Sequence, residues 1–204
     1  MYKIAICGKA NTGKNTVSNL LVYWLGAHIV DGPHNPNRIS TKHDIIAFAD
    51  PIKKMAQQMF PSLPEEFFYG SSKFRAEIIP GAFKDGKPLT VRQLLIDLGT
   101  GVGREYKDNV WIDAFDYRLA KAEKKKLGIV IVTDVRFVNE FRHLKNKGFY
   151  NIRLLRDAHL KIDHSSETSQ DGINDDEFDY VLKNNGSIEE LTDEIKKIIP
   201  LLKS

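Results

Sequence analysis

The sequence predicts an α/β fold, a three-layer sandwich with a five-stranded parallel sheet and helices on both faces. Short apolar, β-rich runs alternate with helical patterns along the chain, as in successive β-α-β units. Ile129-Val130-Ile131-Val132-Thr133 is the clearest buried strand among them. A third observation is the glycine-rich turn Gly8 to Gly13, set between an apolar run and a helical pattern.

Residues 2–7 form the first strand and 13 to about 25 the first helix. A polar stretch with Gly32, Pro33 and Pro36 follows, too turn-rich to be core. Residues 45–48 read as a second strand, and Pro51 opens a helix through Phe60, because the first helical turn needs no N–H from it. Residues 61–89 look irregular, with Pro61, Pro64, Gly70, Pro80, Gly81 and Gly86. Helices cover 90–98 and 110–126, Gly128 stopping the second. The strand 129–133 leads to a helix over 138–147, ended by Gly148, and a strand over 152–155. Residues 157–177 are polar, 180–182 make a last strand, and Ser187 with Glu190 signals a capping box at the C-terminal helix. No repeat or interdomain linker is visible, so 1–204 reads as one domain carrying an insert over 61–128.

Bulk properties narrow the function. With 42% hydrophobic and 28% charged residues, global disorder is excluded. A net charge of +3 gives no argument for a nucleic acid polymer, and the lysines from Lys121 to Lys126 fit a solvated helix end. The single cysteine, Cys7, has no partner within the chain and suits a reducing compartment. No apolar run reaches membrane-spanning length and no cleavable leader precedes the first strand, so a cytoplasmic protein is expected.

The stretch Gly8-Lys9-Ala10-Asn11-Thr12-Gly13-Lys14-Asn15-Thr16 fits G-x-x-x-x-G-K-[ST] except in its last place, where Asn15 stands and Thr16 follows. Such a loop turns successive backbone N–H groups inward. With the positive end of the helix dipole and the Lys14 ammonium, they form a site for a polyphosphate. A hydroxyl ordinarily ligates Mg²⁺ at the Asn15 place, and an amide oxygen is a weaker substitute. Either Thr16 assists, or phosphates, water and a carboxylate elsewhere hold the ion. The strand at 129–133 delivers a second group, Asp134-Val135-Arg136-Phe137-Val138-Asn139-Glu140, where ligands of open α/β sheets bind. Asp134 could hold Mg²⁺, Arg136 could bridge a transferring phosphoryl group, and Glu140 could orient the guanidinium. The plainer alternative is a helix-start aspartate beside an exposed Arg–Glu pair. The six histidines show no metal-ligand spacing.

Taken together the chain resembles the phage-type deoxynucleoside monophosphate kinases, in the nucleoside-monophosphate-kinase branch of P-loop proteins. The matching pieces, in order, begin with the loop and Phe48-Ala49-Asp50-Pro51-Ile52-Lys53. Thr90-Val91-Arg92-Gln93-Leu94-Leu95, Leu98-Gly99-Thr100, Gly103-Arg104 and Trp111 follow, then Thr133-Asp134-Val135-Arg136 with Glu140, and His164-Ser165-Ser166-Glu167. The loop is shared by many NTPases; the ordered combination is far more specific. Such families also carry Asp or Asn at the Asn15 place. The resemblance implies a P-loop sheet and transfer of the ATP γ-phosphoryl group to a deoxynucleoside 5′-monophosphate, with Mg²⁺. It makes Lys14, Asp134, Arg136, Glu140 and Arg156 catalytic, and Gly8 to Thr16 with Asn185 the ATP contacts. Asn15, Thr16 and Asp134 become the metal ligands. Asp50, Lys53, Arg75, Gln93, Thr100, Arg104 and Trp111 become candidates for the acceptor, on a helical substrate-binding insert. Three of these have a plainer reading: Asp50 as a helix cap, Lys53 on a solvated face, and Trp111 as core. Residues 157–177, with so little apolar surface, are read as a lid that brings Arg156 and His164 to the phosphates. The partner is then a small-molecule nucleotide rather than a nucleic acid or a membrane, a homodimer is left open, and the setting is a host cytoplasm if the chain is phage-encoded.

Two rivals stand. Asp179-Tyr180-Val181-Leu182-Lys183-Asn184-Asn185-Gly186 also resembles dephospho-coenzyme A kinases, where this turn lies by the adenine. A non-catalytic nucleotide switch would use the same loop. An acceptor panel separates the first, and acceptor-dependent ADP release the second.

Overall fold

A central strand buried on both faces organises the larger part of the molecule. The computed structural model describes residues 1–29, 42–157 and 172–202. Its strands are β1 (Tyr2–Cys7), β2 (His43–Ile45), β3 (Ile78–Lys84), β4 (Lys87–Thr90), β5 (Ile129–Val135), β6 (Tyr150–Leu155) and β7 (Tyr180–Lys183). Its helices are α1 (Lys14–Ile29), α2 (Asp50–Met59), α3 (Glu66–Tyr69), α4 (Val91–Ile96), α5 (Arg104–Tyr106), α6 (Val110–Lys124), α7 (Val138–Asn146) and α8 (Ile188–Ile198). They fall into two compact units, Met1–Ala47 with Asp116–Ser204, and Phe48–Phe115.

In the first unit the sheet runs β2-β5-β1-β6-β7, every pairing parallel. Alternation along each strand sends Ile4 and Ile6 of β1, Ile129 and Ile131 of β5, and Ile152 and Leu154 of β6 into one core. Val17, Leu21 and Leu25 of α1 and Leu191, Ile195 and Ile198 of α8 cover that face. Burying each such side chain contributes about 1.5–3 kcal/mol. The intervening Ala5, Cys7, Val130 and Val132 are buried as well, so the other face is also covered, with α7 packing on β6. The α/β sandwich expected from the sequence is therefore present. Among the described residues no helix is long and apolar enough to cross a membrane.

The strand expected over 45–48 lies earlier, at His43–Ile45. Among the described residues it is an edge strand paired with β5, and Ile46, Ala47 and Phe48 are buried as they leave the sheet. The Ile46 N–H continues the ladder, to the Ile131 carbonyl at 2.9 Å.

The second unit is built on Ala56, Phe68, Ile79, Val91 and Leu94. Beside its helices, part of the stretch that looked irregular over 61–89 is the antiparallel hairpin of β3 and β4. Lys84 pairs with Lys87, leaving Asp85 and Gly86 as a two-residue turn with φ of 50° and 73°. Both central residues are left-handed, the geometry that Asp-Gly serves in hairpins. The sequence reading drew its insert at 61–128, whereas this unit has its bounds at Phe48 and Phe115.

The helix expected over 90–98 is α only to Ile96, with Thr90 as its N-cap accepting the Gln93 N–H at 3.2 Å. A π-helical turn, Asp97–Gly103, follows. The Trp111 indole N–H donates to the Gly99 carbonyl at 2.7 Å, and a Cβ on Gly103 would run into the same ring. The wide turn accommodates the indole, and such turns mark places where the helical ladder yields to another partner.

The C-terminal helix starts as its sequence predicts. Ser187 Oγ accepts the Glu190 N–H at 3.3 Å, and Glu190 Oε2 accepts the Ser187 N–H at 2.8 Å. At its far end Tyr180 donates to Glu194 at 3.0 Å, joining β7 to α8. Burial raises the Tyr180 phenol, and the Lys197 ammonium is first among the groups that lower the Glu194 carboxyl. Ser187→Ala removes one side of the capping box and is expected to cost about 1 kcal/mol. A lower urea midpoint with unchanged circular dichroism would show it.

Candidate functional site

The loop after β1 is closely constrained. A Cβ at Gly8 would lie 2.6 Å from the Leu154 carbonyl oxygen and 2.9 Å from Thr12 Oγ1, so the chain leaves β1 pressed against β6. Asn11 has φ 62° and Gly13 φ +100°, two left-handed residues that fold the loop back on itself. Thr12 is 1% exposed and donates its hydroxyl to the Lys9 carbonyl at 2.9 Å. Lys14 Nζ donates to the carbonyls of Gly8 (2.6 Å) and Lys9 (2.7 Å), which lays the ammonium across the loop. Asn15 and Thr16 are exposed on the first turn of α1, which carries no acidic residue. The positive end of the helix dipole thus meets no carboxylate of its own first turn.

The neighbouring strand brings the second group to the same sheet edge. Cys7 pairs with Val135, and its thiol lies 3.7 Å from the Val135 carbonyl. Asp134 lies near the end of β5, and Arg136, just beyond it, is exposed. Glu140, given the guanidinium by the sequence reading, is 3% exposed and bonds to backbone. Its Oε2 accepts the N–H of Arg136 at 2.9 Å and of Phe137 at 3.1 Å, capping α7. The carboxylate thereby fixes the chain at Arg136. Arg156 is exposed just beyond β6. Beyond β7, Asn185 accepts the Asp157 N–H at 2.9 Å and donates to Asp157 Oδ2 at 2.5 Å. The loop, Asp134, Arg136, Arg156 and Asn185 therefore share the carboxyl edge of one parallel sheet, the ligand-binding edge of such folds. Sequence reasoning missed Asn184, whose amide donates to the Thr12 carbonyl at 2.7 Å. An Asn-Asn-Gly turn carries no signal that its first amide reaches another loop.

The fit to Mg²⁺ rests on the donor set. Asn15, Thr16 and Asp134 offer an amide, a hydroxyl and one carboxylate, all hard oxygen donors. Among the described residues no three His, Cys, Asp or Glu side chains cluster for a metal. One carboxylate beside neutral oxygens is a donor set that Mg²⁺ takes where water and substrate phosphates complete its shell.

The acceptor candidates lie in the second unit. Asp50 begins α2, and its carboxylate stands 3.7 Å from Lys53 Nζ, which sits 5.5 Å from the Tyr69 ring centre. Arg75 and Arg92 donate to carbonyls of one short loop, Gly70 at 3.3 Å and Ser72 at 3.4 Å. Gln93 donates to Asp97 at 2.9 Å, and that carboxylate also pairs with Lys84 at 2.6 Å. Thr100 is exposed on the π turn. Arg104 donates to the Asp108 carbonyl at 2.9 Å. Trp111, 7% exposed, is buried against Gly99 and Gly103 and leaves little ring for a base. His164 and most of the expected lid, 158–171, lie outside the described residues. The end that is described is anchored: Arg153 donates to the Ile173 carbonyl and pairs with Asp175, both at 2.8 Å.

A family model of deoxynucleotide monophosphate kinases matches residues 52–195. The chain belongs to that family. The matched stretch takes in both the Asp134–Glu140 segment and the acceptor candidates from Lys53 to Trp111, and begins after the glycine loop. The chain is also similar to a protein of Acanthamoeba polyphaga mimivirus named "Putative deoxynucleotide monophosphate kinase". The two are 29% identical over 205 residues, covering 96% of this chain and 94% of the relative, so this likeness extends across the loop. Membership makes the chain a kinase, a phosphotransferase, with a small-molecule nucleotide as its substrate.

Trp111→Phe keeps an aromatic ring but leaves the buried Gly99 carbonyl without its indole donor. Stability is expected to fall by about 1–3 kcal/mol. Thermal unfolding checks it, and an unchanged midpoint would mean that the indole bond contributes nothing.

Proposed function

We propose that the chain transfers the γ-phosphoryl group of ATP to the 5′-phosphate oxygen of a deoxynucleoside monophosphate, with Mg²⁺ on the donor phosphates. The observation that carries this reading is the pairing of β1 with β5, which sets the glycine loop beside Asp134 and Arg136 in a member of a kinase family. In the reaction an acceptor phosphate oxygen forms a bond to the γ-phosphorus. The bond from that phosphorus to the β–γ bridging oxygen breaks, and its electron pair leaves with ADP. The protein's work is to align the groups and stabilise their charge.

The loop amides would hold the β- and γ-phosphates. Lys14, whose ammonium rests on two loop carbonyls, would exchange those neutral acceptors for charged phosphate oxygens, a stronger charge-assisted bond. Asp134, Asn15 and Thr16 would hold the Mg²⁺, which supplies charge neutralisation when bound. Arg136, exposed but anchored through its backbone by Glu140, would bridge phosphoryl oxygens in a plane. Arg156 would add positive charge from the end of β6, and Asn185 would lie towards the adenine. On the second unit, Arg75, Arg104 and Lys53 would take the acceptor phosphate, with Asp50, Gln93 and Thr100 towards its sugar and base.

The test is a coupled ADP assay over the common deoxy- and ribonucleoside monophosphates, with dephospho-coenzyme A included. Turnover with deoxynucleotides supports the reading; turnover with dephospho-coenzyme A alone replaces it; ADP release independent of any acceptor returns the chain to a nucleotide switch. Lys14→Ala is expected to lower kcat/KM about 10²–10³-fold while the chain stays folded. Arg136→Lys should lose at least about tenfold, since an ammonium cannot bridge two oxygens as a guanidinium does. Asp134→Asn should move the Mg²⁺ dependence of the rate to higher concentration, and an unmoved Mg²⁺ curve would take Asp134 out of the metal shell.

A further inference from the structure

The geometry points to Asn184 as a positioning residue that sets the direction of a phosphate-binding amide in the glycine loop; this rests on the reading of that loop as the ATP phosphate site. Asn184 and Thr12 are 172 positions apart in sequence, yet the Asn184 amide donates to the Thr12 carbonyl at 2.7 Å. The Asn184 backbone is itself held, because its N–H donates to the Leu155 carbonyl at 2.8 Å, continuing the pairing of Leu155 with Lys183. The side chain is thus a short arm on a fixed mount.

Its effect follows from the planarity of the peptide bond. In a trans peptide the carbonyl of one residue and the N–H of the next point in opposite directions. Holding the Thr12 carbonyl towards Asn184 therefore turns the Gly13 N–H away from Asn184. On the other side of Gly13, its carbonyl accepts the Val17 N–H at 3.0 Å in the first helical bond of α1. Both peptide planes flanking Gly13 are fixed, one by the helix and one by Asn184. The residue between them has φ +100°, and a Cβ there would stand 2.5 Å from Asn184 Nδ2. Glycine alone accepts that conformation and that contact, yet a glycine by itself turns easily. Asn184 supplies the restraint that glycine lacks. The Gly13 amide belongs to the set that a G-x-x-x-x-G-K loop presents to phosphate, so an unrestrained 12–13 peptide would have to be reoriented each time a phosphate binds.

Two variants and two probes test this. Asn184→Ala removes the arm. Asn184→Asp fills the same space but has no N–H to donate and adds a negative charge, so the neutral Asn184→Ala carries the hydrogen-bond reading and Asn184→Asp tests it in the filled space. Binding of ATP and of inorganic tripolyphosphate, each with Mg²⁺, is measured by calorimetry. For Asn184→Ala, affinity for both probes is expected to fall by about three- to tenfold, the range of a single hydrogen bond. Asn184→Asp is expected to lose at least as much. The KM for ATP should rise while kcat and the acceptor KM hold, the pattern of lost uniform binding, and the circular dichroism spectrum of Asn184→Ala should match that of the wild type. Wild-type affinity for tripolyphosphate in Asn184→Asp overturns the proposal. So does a loss confined to ATP, which would place Asn184 at the base rather than behind the loop. If the wild type itself binds neither probe, the phosphate-site reading fails and this inference with it, an outcome distinct from the other two.

Discussion

The approach of the β1 turn to the backbone of β6 is the constraint on which the glycine loop of this protein depends. Gly8 passes so close to the Leu154 carbonyl that no side chain fits between them. That closeness is available because Ile6 and Cys7 register with Ile152 and Arg153, so the two strands end almost together. A loop leaving β1 under such a neighbour cannot bulge outward. It must turn within a few residues, and Asn11 and Gly13 make the turn with left-handed backbone. The ends of β5 and β7 then fall on either side of the same opening, one carrying Asp134 and Arg136, the other the asparagine turn. A sheet that is parallel throughout delivers all of these groups to one edge without any of them being adjacent in sequence.

What the sequence discloses follows from which interactions are local. Strands β1 and β5 are legible because each is an apolar run bounded by polar turns, and burial on both faces demands such a run, while β6 and the edge strand β7 show as the shorter runs Ile152-Arg153-Leu154-Leu155 and Tyr180-Val181-Leu182. The Ser187–Glu190 cap is legible because both partners lie within one helical turn. The hairpin was hidden by Pro80 and Gly81 inside β3, which read as breakers, although Asp85-Gly86 carried the turn signal. The strands there pair with a register shift between Ile78 and Phe83, so alternation is interrupted where a reader would look for it. The π turn was hidden for another reason. Its cause is the Trp111 indole twelve residues downstream, and no local propensity at Leu98-Gly99-Thr100 encodes it.

Glu140 shows how a side chain read for one role can carry another. The spacing from Arg136 suggested contact between two side chains, and the carboxylate also reaches residue 136 at its backbone N–H. A carboxylate 3% exposed would be costly without partners, and two N–H groups at the start of α7 meet much of that need. The consequence for Arg136 is indirect and strong. Its Cα is pinned at the sheet edge by β5 on one side and the cap on the other, while its side chain is left exposed. A rigid root with an outward guanidinium suits a group that must meet a substrate at a defined place.

The same distinction between root and tip separates the arginines of the second unit. Arg75 and Arg92 reach neutral carbonyls at 3.3 and 3.4 Å, the long end of the hydrogen-bond range, where a bond contributes little. A phosphate oxygen would be a better acceptor for either guanidinium, because its charge strengthens and shortens the bond. Arg104 differs. Its side chain is 9% exposed and bonds the Asp108 carbonyl at 2.9 Å, so much of it is packing. Replacing Arg104 would disturb the π turn's exit as well as any acceptor contact, and a lost activity there would mix the two effects. Arg75 lies on a short 3₁₀ turn, Phe74–Ala76, with no buried residue. A change at Arg75 therefore removes no buried side chain, whereas a change at Arg104 does.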